Sequence, residues 1–206
     1  MDPEEDFIKN RTTLVKLSDG TPVRVRPIVP ADKSRIADGL VDLSPESRYL
    51  RFLRPVDHLS DEELTYLTEI DYRTHFAWGA ELVRGRDRRG IGLARYVSSP
   101  EDPSVAEAAV AVLDEFQGRG LGGILLALLA ESAMSNGVTR FRSYVLSDNR
   151  RVLAALNGPG ITRREEDGIV IIDISLPLPA LEMRDSALYA TLRAVARGEV
   201  EVRPIR

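Results

Sequence analysis

Between residues 21 and 30 the chain reads TPVRVRPIVP, in which Val23 and Val25 alternate strictly with Arg24 and Arg26. A period of two is that of an extended strand with one buried face, and Pro30 closes it. The period then lengthens. Ile36, Leu40 and Leu43 recur at helical spacing behind Asp32, a residue type that caps helices, and Ser44-Pro45 restarts a helix through a serine cap and a first-turn proline. Along SPESRYLRFLR the arginines 48, 51 and 54 recur every three residues, as a solvated face or an anion site would require. Ser60-x-x-Glu63 is a capping box and predicts a third helix over SDEELTYLTEI. HFAWGAELV and GIGLARYVSS are strand-like runs on either side of the charged turn RGRDRRG, so they form a hairpin.

In residues 104–113 two local rules conflict. Ser104-x-x-Glu107 fits a capping box in an alanine-rich run, yet Val105, Glu107, Ala109, Ala111 and Leu113 also define one face of a strand. Propensity alone leaves this open. Beyond FQGRGLGG the spacing of Ile124, Leu125, Leu128 and Leu129 is helical as far as an Asn136-Gly137 stop. RFRSYVLS and GIVIIDISL are two further strands, with DNRRVLAAL between them as a short helix ended by NGPG. Leu188, Leu192 and Val195 stripe a C-terminal amphipathic helix that serves its own domain or a dimer contact.

Composition narrows the function. The 206 residues suit one domain, and a hydrophobic share of 43% is enough to build a core. A net charge of −4, with basic residues scattered among acids, carries no nucleic-acid footprint. The acidic start MDPEEDFIKN has no apolar leader and no run is long enough for a membrane span, which suggests a cytoplasmic protein. Cysteine is absent and the two histidines, His58 and His75, match no common metal spacing, so a thiol nucleophile is excluded and no metal is expected.

The glycine loop therefore carries the chemistry. Glycines before a helix start let backbone N–H groups and the positive helix end hold an anion. A P-loop needs a Gly-Lys-Ser/Thr ending, and no lysine lies near this loop. Gly118-x-Gly120-x-x-Gly123 satisfies the dinucleotide pattern, but the loop lies late in the chain and lacks an acidic residue at the usual distance. The remaining spacing is Gln117-x-x-Gly120-x-Gly122.

That spacing, between a strand and a long helix, resembles the acyl-CoA pyrophosphate loop of the GNAT acetyltransferase superfamily. The resemblance covers roughly residues 20 to 180 and implies an α/β (α+β) GNAT fold: a mixed, mostly antiparallel central sheet flanked by helices, splayed between its fourth and fifth strands. It makes 105–113 a strand, leaving 1–19 as an N-terminal extension and 181–206 as a C-terminal helical extension. RPIVPADKSRI, LSPESRYLRFL, EIDYRTHFAW, GLARYV, DPSVAEAAVAV and LSDN look like segments of the bacterial Pat-type protein lysine acetyltransferases. Some of those relatives carry a fused cyclic-nucleotide-binding domain, for which these 206 residues leave no room.

The resemblance implies acetyl-CoA as co-substrate and a protein partner of the acyl-CoA synthetase type. Glu107, in the segment matching the family's catalytic glutamate, is then the general base, with desolvation among Val and Ala expected to raise its pKa. Val112 and Leu113 match positions whose backbone pairs with the pantetheine arm. Gln117, Gly118, Arg119, Gly120, Leu121, Gly122 and Gly123 would hold the pyrophosphate. Asn149 matches a CoA-contacting asparagine, although it is equally placed to cap a helix, and either Arg150 or Arg151 could reach a phosphate. Leu156 stands where many members of the superfamily have an acid tyrosine. Two other functions stay open: a small-molecule amine acetyltransferase, and an acetyl-CoA-binding regulatory protein of little activity.

Overall fold

The computed structural model describes residues 3–83, 88–178 and 187–198. Its eight strands form one sheet: β1 (Thr13–Lys16), β2 (Pro22–Pro27), β3 (His75–Leu82), β4 (Gly90–Ser98), β5 (Val105–Val112), β6 (Arg140–Leu146), β7 (Ile161–Glu166) and β8 (Ile169–Ser175), in the order β1-β2-β3-β4-β5-β6-β8-β7. All neighbours are antiparallel except β5 and β6, which run parallel and pair only at Val105–Arg140, Ala106–Phe141 and Glu107–Arg142. Beyond Glu107 the two strands part. This is the expected splay; the additional β1 makes it fall between the fifth and sixth strands in chain order.

The disputed segment is strand, because tertiary context overrides the alanine propensity: Ala106 and Ala108 are buried and Val97 pairs with Glu107. Two strands carry no sequence signal. β1 is only four residues long, and β7, ITRREE, has five exposed positions of six at the sheet edge. Charged edge strands resist pairing with other chains, which accounts for the absence of an apolar alternation.

Seven α-helices are described. α1 (Pro3–Asn10) precedes the sheet; α2 (Lys33–Asp42), α3 (Pro45–Phe52) and α4 (Asp61–Thr68) connect β2 to β3. Ser44 caps α3 by accepting from the Ser47 N–H at 3.1 Å, and the Ser60/Glu63 box is formed in both directions. Asp32 occupies the N-cap position of α2, but its side chain makes no cap bond there. Its carboxylate is held by Arg26 through two 2.7 Å bonds, by Arg35 and by the Val29 N–H. Burial at 1% exposure explains the preference, since a buried carboxylate needs full pairing.

On the opposite face lies α5 (Leu121–Ser135), with ten of its fifteen residues buried, hence its apolar character all round. It packs on β3, β4 and β5 beneath Trp78, Tyr96 and Phe141, and the Trp78 indole N–H donates to Ser132 Oγ at 3.1 Å. Asn136 and Gly137, the latter at φ +86°, end it as expected. α6 (Arg150–Ala155) follows β6. α7 (Ala187–Arg197) buries Leu192 and Val195 against its own domain, and Arg193 and Arg197 approach the buried Glu131 of α5 at 3.7 and 3.4 Å. Leu188, the third residue of that stripe, lies outside the described side chains.

Candidate functional site

The divergence of β5 and β6 decides which backbone groups are open. Antiparallel partners alternate between pairs that exchange hydrogen bonds and pairs whose groups face away. Leu113 donates its N–H to the Ile91 carbonyl at 3.0 Å, so its amide is committed to β4. The alternating residues, Val110 and Val112, turn their backbone toward the opening left by β6, and Ser143 Oγ already bonds the Ala108 carbonyl from that side at 2.8 Å. Of the two expected pantetheine contacts, Val112 therefore has its amide in the gap. Leu113 has only its buried side chain, and Val110 takes its place as a gap-facing amide, a substitution that only the register reveals.

Gly118 and Gly120 adopt φ +76° and +87°, left-handed values that favour glycine, and no side chain caps α5. A Cβ at Gly120, Gly122 or Gly123 would meet nothing within 4 Å, so the backbone of these glycines borders open space, while Leu121 between them is buried at 1% exposure. Backbone N–H groups without a side-chain cap at the positive end of a fifteen-residue helix are suited to an anion. Gln117 ties the loop down: Nε2 donates to the Val112 carbonyl at 3.0 Å, and Oε1 accepts from Arg151 Nη1 at 2.6 Å. A Cβ on Gly118 would come within 3.3 Å of the other Arg151 nitrogen. Of the two arginines the sequence left open, Arg151 is thus the one at the loop. Arg119 is paired with Asp19 at 2.8 Å and stacks over Phe116. Asn149 caps α6, its Oδ1 accepting from the Val152 N–H at 3.2 Å.

Glu107 lies at the fork itself, the last residue of β5 to pair with β6. It is exposed, contrary to the burial expected from its Val and Ala neighbours. The apolar side chains beside it point to the other face, as alternation requires, and the opening of the sheet leaves the carboxylate in solvent. Desolvation therefore gives no support to its role as a base.

Groups that sequence spacing could not bring together surround it. Arg95, 6% exposed, shares its sheet face one register step away; its Nη2 lies 2.6 Å from His75 Nε2, and its guanidinium lies 4.8 Å from the centre of the Tyr66 ring. Arginine can only donate, so His75 Nε2 is the acceptor and its ring proton sits on Nδ1. Burial, and then the neighbouring Arg95 charge, push His75 down to about 4. Arg51 of α3 joins the cluster. Burial and then the like charge of Arg95 push it down to about 10, while the Glu107 charge opposes them. The other two arginines of the three-residue repeat face acids elsewhere, Arg48 near Asp57 and Arg54 on Glu63. Asp114 sets the pose of α3 by accepting from Ser44 N–H, Ser44 Oγ and Ser47 Oγ at 2.7–3.1 Å. Tyr49, Tyr66 and Tyr144 are exposed, the last on β6 two residues beyond Arg142. Among the described residues no cluster of His, Asp or Glu could hold a metal, and no helix is long and apolar enough to cross a membrane.

Comparison with known proteins agrees with this geometry. Acetyltransferase Pat of Mycolicibacterium smegmatis is 35% identical over 166 residues, which cover 79% of this chain and 48% of that protein, so the chain spans about half its length. Acetyltransferase PA5475 of Pseudomonas aeruginosa is 33% identical over 134 residues, 65% of this chain and 72% of the relative. The solved GNAT domain of S. lividans PAT superposes with a TM-score of 0.71 at 31% identity, covering 81% of this chain and 97% of that one. The structure of yncA from Salmonella typhimurium with acetyl-CoA shares the fold, with a TM-score of 0.56 at 18% identity over 75% of this chain and 94% of that one. The sequence profile of the Acetyltransferase (GNAT) family matches residues 47–156. That stretch runs from α3 to the end of α6 and contains the forked strands and the glycine cradle; the chain belongs to the GNAT acetyltransferase family.

Proposed function

We propose that this protein is an acetyl-CoA-dependent N-acetyltransferase that modifies protein lysines, such as those of acyl-CoA synthetases, with Glu107 as general base. The observation that carries the reading is the position of Glu107 at the fork of β5 and β6, on the face shared with Arg95 and ten residues before Gln117 of the glycine cradle. The cradle from Gln117 to Gly123, with Arg151 beside it, would hold the diphosphate, and Asn149 would lie near the arm. Val110 and Val112 would offer backbone groups to the pantetheine. Acetyl-CoA supplies the activated acyl carbon as a thioester.

A lysine side chain, with a solution pKa near 10.4, must lose a proton before its nitrogen attacks. Arg51 and Arg95 make the site unfavourable for an incoming ammonium, and the exposed Glu107 carboxylate takes the proton, directly or through one water. The C–N bond forms as the C–S bond breaks, and the departing thiolate takes up, directly or through water, the second proton that the nitrogen loses on becoming an amide. No tyrosine is needed at Leu156, since a thiol of pKa near 8.5 leaves readily. The acyl group moves without attachment to the enzyme.

An exposed base, with the exposed Tyr66 beneath Arg95 on the same face, suits a polypeptide acceptor, because exposed tyrosines are favoured protein contacts. Kinship with proteins named Pat supports the same acceptor. The test is incubation with labelled acetyl-CoA and an acyl-CoA synthetase, followed by mass spectrometry. Label on a synthetase lysine is expected. Label only on free amines would replace the reading with a small-amine acetyltransferase.

A further inference from the structure

A cleft of about 110 Å³ lies under the helices that connect β2 to β3. Its walls are Leu40 of α2, Leu43 just after it, Phe52 of α3, Leu67 of α4, and Leu93 and Ala111 on the sheet. Ala111, Val112 and Leu113 belong both to this cleft and to the end of β5 beside the parting of the strands. The cleft is thus continuous with the place where the donor thioester would lie.

The far wall holds charged residues, but they are occupied with one another. Asp32 accepts two bonds from Arg26 and one from Arg35, and Glu81 lies 3.7 Å from Arg26 and 3.1 Å from Arg24. Arg51 also reaches the lining, but the other charged groups are mutually satisfied and the remaining walls are aliphatic side chains and Phe52, which favours an apolar guest. Gly39 supplies a second, independent observation. It lies inside α2, where glycine weakens a helix, yet it lines the cleft and a Cβ there would meet nothing within 4 Å. The missing side chain leaves the space open.

The geometry points to an acyl-chain pocket: the cleft under α2 accepts the hydrocarbon tail of donors longer than acetyl-CoA, up to about hexanoyl. An apolar cavity of about 150 Å³ takes up benzene, so this one holds roughly four carbons beyond the acetyl group. The inference rests on the donor placement proposed above for the end of β5.

The test is calorimetric titration of the full chain with acetyl-, butyryl-, hexanoyl- and decanoyl-CoA. Each buried methylene tightens binding by up to about fourfold, so hexanoyl-CoA should bind at least about tenfold tighter than acetyl-CoA, with no further gain at decanoyl. Gly39→Leu fills the cleft while improving helix propensity, and it should reduce the hexanoyl-to-acetyl affinity ratio about tenfold, with Gly39→Ala between. Hexanoyl-CoA bound no tighter than acetyl-CoA overturns the pocket, as does a ratio unmoved in a folded Gly39→Leu protein. If Gly39→Leu does not fold, the chain-length series on the unaltered protein decides alone. A preserved ratio in a protein that transfers nothing would refute the catalytic reading and leave the pocket standing, whereas failure to bind any acyl-CoA refutes both.

Discussion

Replacing His75 by glutamine should make the fold less sensitive to acid. In the folded protein the ring is partly buried, with Nε2 accepting from Arg95 at 2.6 Å, and a second proton would set an imidazolium against a guanidinium. Its folded-state pKa is therefore lowered, to about 4, against 6.5 for the free side chain. As the pH falls the unfolded chain takes up this proton first. Stability is unaffected by this group above about pH 6.5 and is lost progressively from there down to about pH 4. At about pH 5 the shift is worth about 2 kcal/mol, and partial exposure reduces this to about 1–2 kcal/mol. Glutamine keeps an acceptor oxygen for Arg95 but does not titrate. Urea unfolding of both proteins at about pH 7.5 and about pH 5 isolates the difference, because the titrating carboxylates are common to both. The original protein should lose about 1–2 kcal/mol more than His75→Gln between those conditions. Equal losses would show that His75 is not held neutral by Arg95.

Two further outcomes follow from named contacts. Arg151→Ala removes the cation hydrogen-bonded to Gln117 beside the cradle, and should raise KM for acetyl-CoA about tenfold with kcat little changed, measured by steady-state kinetics. Ser60→Ala breaks one half of the capping box at α4 and should cost about 1 kcal/mol in urea unfolding at neutral pH.

Features governed by local rules were legible in the chain. Ser44, Ser60 and Asn136-Gly137 mark helix boundaries because a cap is a contact among near neighbours, and the helical spacing from Ile124 onward places α5 for the same reason. β7 was not legible, since an exposed, charged edge strand has no buried face to impose alternation. Asp32 misled for a different reason: its buried carboxylate is taken up by Arg26, the Val29 N–H and Arg35, all within six residues, so none of it is left for the first turn of α2. At the site, Gln117 and the glycines announced themselves by spacing, and Glu107 only through a family resemblance. Nothing local joins Arg51, His75 and Arg95 to Glu107, because strand register and the pose of α3 bring them together. Register likewise assigns the open amide to Val110 rather than Leu113.

The central claim is that Glu107 removes the proton from the acceptor amine. The most direct measurement is kcat/KM of Glu107→Gln with an acceptor that the original protein acetylates, alongside calorimetric binding of acetyl-CoA. Loss of general-base catalysis should lower kcat/KM by about 10²–10⁴-fold while acetyl-CoA affinity stays within about twofold. A fully active Glu107→Gln protein, or a loss explained entirely by weaker acetyl-CoA binding, would contradict it.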